Sequence, residues 1–199
     1  MNNYPYIPFV PNKDSVMRRM GSLKASFDKE LKNEIDGCYT KAMSAFTVRG
    51  RAEAYEIARL GGDSIEIMGN TVESRLLAVM LSKSSKAFVM CAAIPESDVR
   101  MINEAISRGE GLLALVLDAY ASELVDGALD VIMQSKNESL RRAGQSLTKK
   151  RFSAGYGDLD IKYQKVFYDL LEMQTLGVKM NEKYLLIPEK SVIAIAGVE

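Results

Sequence analysis

The chain has 199 residues, 47% of them hydrophobic, and its 26 Lys+Arg are balanced by 26 Asp+Glu. That size and apolar content suit one α+β domain with a real core, and a formal net charge of zero argues against a nucleic-acid binder, which carries a basic excess. The absence of histidine excludes a Ser-His-Asp triad, a Cys-His pair, an H-E-x-x-H zinc site and any imidazole ligand to a haem or corrinoid. Catalysis, if any, falls to carboxylates, Lys, Tyr or a bound cofactor, which shifts weight toward a binding module.

The opening Met1-Asn2-Asn3-Tyr4-Pro5 is polar and Pro-broken, unlike a signal peptide. No apolar run approaches the roughly 20 residues of a membrane span. The expectation is a soluble, cytoplasmic protein. Cys38 and Cys91 form no C-x-x-C and no metal spacing, and read as reduced core residues.

Residues 1–20 read as an extended arm, with Pro5, Pro8 and Pro11 among Tyr4, Tyr6, Ile7 and Phe9, then a short helix from Asp14 to Met20 capped by Asp14. Residues 21–199 read as a single domain. Ser22 starts a long amphipathic helix whose apolar positions Leu23, Phe27, Leu31, Ile35, Cys38, Ala42 and Phe46 recur every three to four residues. Thr47–Gly50 opens a short strand, 52–58 is ambiguous, and Ser64–Met68 alternates as a strand. Asn70 or Thr71 caps a helix through Leu81. Ala87–Ile94 is a continuous apolar run, hence a strand buried on both faces. Ser97 caps the next helix, which stops near Gly109. Residues 111–134 form a helix so apolar that it must be central. Lys136–Lys150 is a solvated, basic helix end and loop. Residues 160–174 form a helix. Tyr184–Ile187 and Ser191–Ala196 form a hairpin around Pro188.

Two features stand out from this plan. Arg151-Phe152-Ser153-Ala154-Gly155-Tyr156-Gly157 combines a planar cation, two glycines, a hydroxyl and an aromatic. It reads either as a Gly-rich turn with a solvated Arg or as a pocket wall that grips an anionic group. Asp118 sits inside the apolar run Leu112–Leu117 and Ala119-Tyr120-Ala121. It lies on an exposed stripe, or pairs with an internal Arg, or accepts from a ligand amine, because an unpaired buried carboxylate is costly. Arg151 and Asp118 together would suit a zwitterion, Arg for the carboxylate and Asp for the ammonium.

That constellation resembles the S-adenosylmethionine-binding activation domain of cobalamin-dependent methionine synthase, in its stand-alone form. The signature R-x-[AS]-x-G-Y corresponds to Arg151-Phe152-Ser153-Ala154-Gly155-Tyr156. The downstream stretch Gly177-Val178-Lys179-Met180 through Pro188-Glu189-Lys190-Ser191-Val192 also matches, as does Asp118-Ala119-Tyr120-Ala121. The similarity covers about residues 60–199 and is specific in the last 50. It implies an α+β fold with a central, mostly antiparallel twisted sheet and several long helices packed against it. It implies S-adenosylmethionine as ligand, with Arg151, Ser153, Gly155, Tyr156 and Asp118 as binding residues, no catalytic residue, and no metal site. Cobalamin would come only on a partner, because the D-x-H-x-x-G corrinoid motif is absent. The function implied is reductive reactivation of that corrinoid, with a methionine synthase chain or other corrinoid protein as partner and a flavodoxin-like electron donor. The partner interface would involve the arm at 4–9 and the basic 136–151 segment. The alternatives are an activator of a different corrinoid methyltransferase and a non-catalytic interaction or ligand-sensing module. The family's aspartate near its N-terminus finds no match in residues 1–20, and its tyrosine-bearing segment beyond the hairpin has no counterpart before Glu199.

Overall fold

The computed structural model describes residues 1–21 and 28–199. Its strands are β1 (Asn2–Tyr4), β2 (Arg49–Gly61), β3 (Ser64–Ile67), β4 (Asn70–Glu73), β5 (Lys86–Ala93), β6 (Lys179–Met180), β7 (Leu186–Ile187) and β8 (Ser191–Val198). Its α-helices are α1 (Lys13–Arg19), α2 (Lys29–Ala45), α3 (Arg75–Met80), α4 (Glu96–Ser107), α5 (Gly111–Leu140) and α6 (Gln164–Leu170). The main sheet runs β4-β3-β2-β5-β8, with β1 also paired to β2, and every pairing is antiparallel. This is the expected α+β class.

The apolar run of β5 is buried on both faces, and its alternation divides the core in two. Phe88, Met90 and Ala92 point to one side, where α5 crosses the sheet and carries α1, α2 and α4 against it. Ala87, Val89, Cys91 and Ala93 point to the other, beneath α3, α6 and the β6–β7 hairpin. Leu117, Leu124, Leu129 and Ile132 of α5 are each at most 2% exposed. Burial of each such side chain is worth about 1.5–3 kcal/mol, so α5 is central, as its composition demands. Cys38 and Cys91 are buried free thiols, and burial pushes Cys91 up to about 12, leaving it a neutral core residue. No helix among the described residues is long and apolar enough to cross a membrane.

The arm packs on the body. β1 pairs with β2, Ile7 is 1% exposed, and the Phe9 ring fills the space above Gly127 of α5. Helix α1 is capped by Asn12, whose side chain accepts from the Ser15 amide, so Asp14 lies in the first turn rather than at the cap. Helix α2 is capped by Asp28. The expected start at Ser22, with Leu23 and Phe27, lies outside the described residues.

Four other expectations are corrected. The short strand at 47–50 and the ambiguous stretch after it are one strand, β2. The helix expected from Asn70 begins only after Ser74, whose hydroxyl caps it, because Asn70–Glu73 pairs with β3 across the turn Met68-Gly69. The helix from 160 to 174 is three pieces, a 3-10 turn at Ile161–Tyr163, α6, and a 3-10 turn at Met173–Leu176, divided where Glu172 takes a φ of 48°. The predicted terminal hairpin does not form: Leu186–Ile187 pairs with Lys179–Met180, while Ser191–Val198 pairs with β5. In addition, Pro95 rather than Ser97 stands at the cap of α4, and α5 runs on through Leu140 into the basic segment.

Candidate functional site

The segment 146–152 runs antiparallel along the free side of β8. Ser146 and Glu199 exchange backbone hydrogen bonds of 2.9 and 2.8 Å, the Thr148 amide donates to the Gly197 carbonyl (2.8 Å), and Phe152 and Ile195 exchange two bonds of 2.8 Å. This register decides where the neighbouring side chains go. Phe152 packs into the core beneath α3 and α6. Arg151 therefore turns to the opposite face, toward α5.

After Phe152 the chain leaves the sheet in a tight loop. Gly155 (φ 87°) and Gly157 (φ 58°) occupy the left-handed region, and a Cβ at Gly157 would lie 2.8 Å from Leu76 Cδ1. The loop is tied down by Asp158. Its Oδ1 accepts from the Ser74 hydroxyl (2.5 Å) and its Oδ2 from the Leu76 amide (3.2 Å), so the start of α3 anchors the site. These hydrogen bonds, the Ser74 hydroxyl first, hold the Asp158 carboxyl below the usual aspartate range. The anchorage is therefore complete above the ordinary aspartate value near pH 4 and is lost as pH falls through the lower value of the folded state. Amide protection at Leu76 is expected to fall along a pH series from about 5 to 2.5. In Asp158→Ala it should be low throughout; equal protection in both proteins would refute the anchor.

Between the loop, α5 and β8 lies a cavity of about 360 Å³ lined by Asp126, Leu129, Arg151, Phe152, Ser153, Tyr156 and Val192. Arg151, 26% exposed, donates through Nη1 to Asp130 and through Nη2 to the Asp126 carbonyl (3.2 Å). The Asp126 carboxylate accepts from Arg19 of α1 (2.7 Å), which also reaches Glu123 (2.6 Å). Tyr156 is 71% exposed and offers an open ring face. Larger hollows exist, about 560 Å³ between α2 and the start of α5, about 590 Å³ beside the arm and about 410 Å³ between α2, α4 and α5. The last holds Arg108, Glu104 and Ser44 but no aromatic, and none of the three joins a guanidinium, a carboxylate, a hydroxyl and an aromatic over an apolar floor, the mixture that marks a small-molecule site.

The structure thus gathers Arg151, Ser153 and Tyr156 in one cavity wall. Gly155 shapes the loop behind them without lining the cavity. Asp118 stands elsewhere. Its Oδ1 accepts from Lys190 (2.6 Å), whose ammonium also donates to the Ser122 hydroxyl (3.0 Å). Of the roles open to it, Asp118 takes neither an internal arginine nor a place in this cavity: its side chain is half-exposed and pairs with the largely covered Lys190. The acid inside the cavity is Asp126, two turns further on and about 12 Å along the helix at 1.5 Å per residue. Asp118, Ser122 and Asp126 stand at i, i+4 and i+8 along α5, a spacing that does not set Asp126 apart from Glu123 and Asp130 on the same helix. The cation at the far end, Lys190, was visible only as part of a turn. Among the described residues no cluster of Cys, Asp or Glu has the make-up of a metal site.

An antiparallel sheet backed by one long buried helix, with the arginine-bearing segment 146–152 bridged to its last strand, defines an α+β fold. No protein-family profile and no curated protein matches the sequence. Among solved structures the chain is similar to the MetH reactivation domain bound to AdoHcy, with a TM-score of 0.65 and 14% identity over 98% of this chain and 81% of that one. At that identity the likeness is one of fold.

Proposed function

We propose that this chain binds S-adenosylmethionine and supports the reductive methylation of a corrinoid held by a partner such as cobalamin-dependent methionine synthase. The observation that carries the reading is the position of Arg151. The first residue of the Arg-x-Ser-x-Gly-Tyr signature stands in the wall of a cavity, in a fold shared with a domain solved with AdoHcy.

The residues fit such a ligand. A cavity of about 360 Å³ lies within the range of roughly 300–1,000 Å³ usual for small-molecule sites. Arg151 presents a planar fork to the carboxylate. The carboxylates of α5 favour the ammonium and the sulfonium, and the Tyr156 face suits the adenine ring. Leu129 and Val192 give the cavity its apolar floor.

A corrinoid on a partner would supply the nucleophilic cobalt once a one-electron donor protein had reduced it, and this chain's Arg151, Ser153 and Tyr156 would hold the methyl donor for it. Transfer of a methyl group from a sulfonium leaves a neutral thioether and moves no proton. A chain without histidine is therefore under no handicap in this reaction. Calorimetric titration of the purified chain with S-adenosylmethionine tests the reading. Saturable one-to-one binding supports it, and no binding at millimolar ligand, alone or with a corrinoid protein, would overturn it. Binding without methyl transfer to any corrinoid protein would favour a ligand sensor on the same fold.

A further inference from the structure

We infer that Asp130 is an internal stand-in for the ligand's carboxylate, occupying the Arg151 fork until a ligand displaces it. The inference rests on the reading of Arg151 as the carboxylate grip, and it assigns Asp130 a role in setting affinity.

The acids on this side of α5 are all engaged, and the engagements differ. Asp118 is held by Lys190, which is only 12% exposed, and Glu123 and Asp126 share the two ends of Arg19. Among the described residues, Asp130 is the one acid whose carboxylate reaches Arg151. Its side chain is 68% exposed, against 48% for Asp118, 46% for Asp126 and 24% for Glu123. An ion pair that exposed is worth little, so Asp130 leaves it at small cost and is rehydrated at once. Arg151 is three-quarters covered and keeps its hydrogen bond to the Asp126 carbonyl, so the fork stays in place when its partner goes. The guanidinium presents a carboxylate-shaped site on the cavity wall. Asp130 Oδ1 takes one prong of it, Nη1, while Nη2 stays on the Asp126 carbonyl.

A stand-in and a positioning residue predict opposite effects of removal. If Asp130 competes, its loss tightens binding of any ligand whose carboxylate uses Arg151. If it only orients Arg151, its loss weakens binding. Long-range electrostatics cannot imitate competition here. S-adenosylmethionine carries a net positive charge, so removing a nearby negative charge weakens its attraction.

The experiment is calorimetry on the wild type and Asp130→Asn with two ligands, S-adenosylmethionine and its decarboxylated form. We expect Asp130→Asn to tighten S-adenosylmethionine about two- to five-fold, the worth of an exposed ion pair, and to leave the decarboxylated ligand unchanged or weaker. An unchanged or lower affinity for S-adenosylmethionine would overturn it while leaving the ligand assignment standing. Absence of binding in both proteins would instead overturn the ligand assignment, and the inference with it.

Discussion

Arg151→Ala is expected to weaken S-adenosylmethionine binding about 10- to 100-fold, the worth of a charge-assisted bidentate contact in a partly covered site. The fold should be little affected. The pair that Arg151 makes with Asp130 is exposed on the acid side, and such pairs contribute at most about 1 kcal/mol. The strand register beside β8 is set by backbone bonds at Thr148 and Phe152 that the substitution leaves alone. Arg151→Lys should recover only part of the loss, because an ammonium restores the charge without the planar fork. Calorimetry with a parallel thermal melt separates the effects: an affinity loss accompanied by a large fall in Tm would mean that Arg151 serves the fold instead.

Gly50→Ala should produce the largest loss of stability among single-methyl additions in the sheet. A Cβ at this position would lie 2.3 Å from the Cys91 carbonyl oxygen and 3.2 Å from the Cδ1 atoms of Ile132 and Ile7. The obstacle is backbone of the neighbouring strand, near the start of the β2–β5 ladder where Gly50 pairs with Ala92. It cannot rotate away as a side-chain end would. We expect a loss of about 3 kcal/mol, a fall in Tm of roughly 6–12 °C for a domain of this size. Gly37 in α2 is the contrasting case. Nothing lies within 4 Å of a Cβ there, and Gly37→Ala should stabilise the protein by about 1 kcal/mol through helix propensity alone. Thermal unfolding of the two variants should give shifts of opposite sign, and similar melting for both would contradict the close approach of α5 and the arm over Gly50.

The elements legible in the sequence were those whose pattern and burial agree. β5 and α5 are continuous apolar runs, and both lie at the centre. β2 was read only in part, because its helix-facing residues are Gly50, Ala52 and Ala54, small enough to admit α5 but too small to give an apolar alternation against Arg49, Arg51 and Glu53. The β3–β4 hairpin was hidden for a different reason. Its two-residue turn places Met68 (φ 50°) and Gly69 (φ 76°) in the left-handed region, where Asn-Gly or Asp-Gly is the usual signal. The terminal hairpin was misread because adjacent strand-like runs suggest pairing with each other. Here the second, eight-residue run finds a longer partner in β5.

The candidate site shows the same division. The signature from Arg151 to Tyr156 is local in sequence and stays together in space. Asp118 was singled out for standing in an apolar run, and Lys190 resolves that anomaly from 72 residues away. Asp126 looked like one more surface acid on a long helix. Its place beside Arg151 depends on how the added strand crosses α5, a tertiary relation that no local pattern encodes.

Arg151 is proposed to read the carboxylate of S-adenosylmethionine. The most direct measurement is a cycle that deletes either side of the contact: wild type and Arg151→Ala, each titrated with S-adenosylmethionine and with its decarboxylated form. The wild type is expected to prefer the intact ligand about 10- to 100-fold and Arg151→Ala to bind the two forms alike. A wild type that does not distinguish them, or a variant that keeps the full preference, would contradict it.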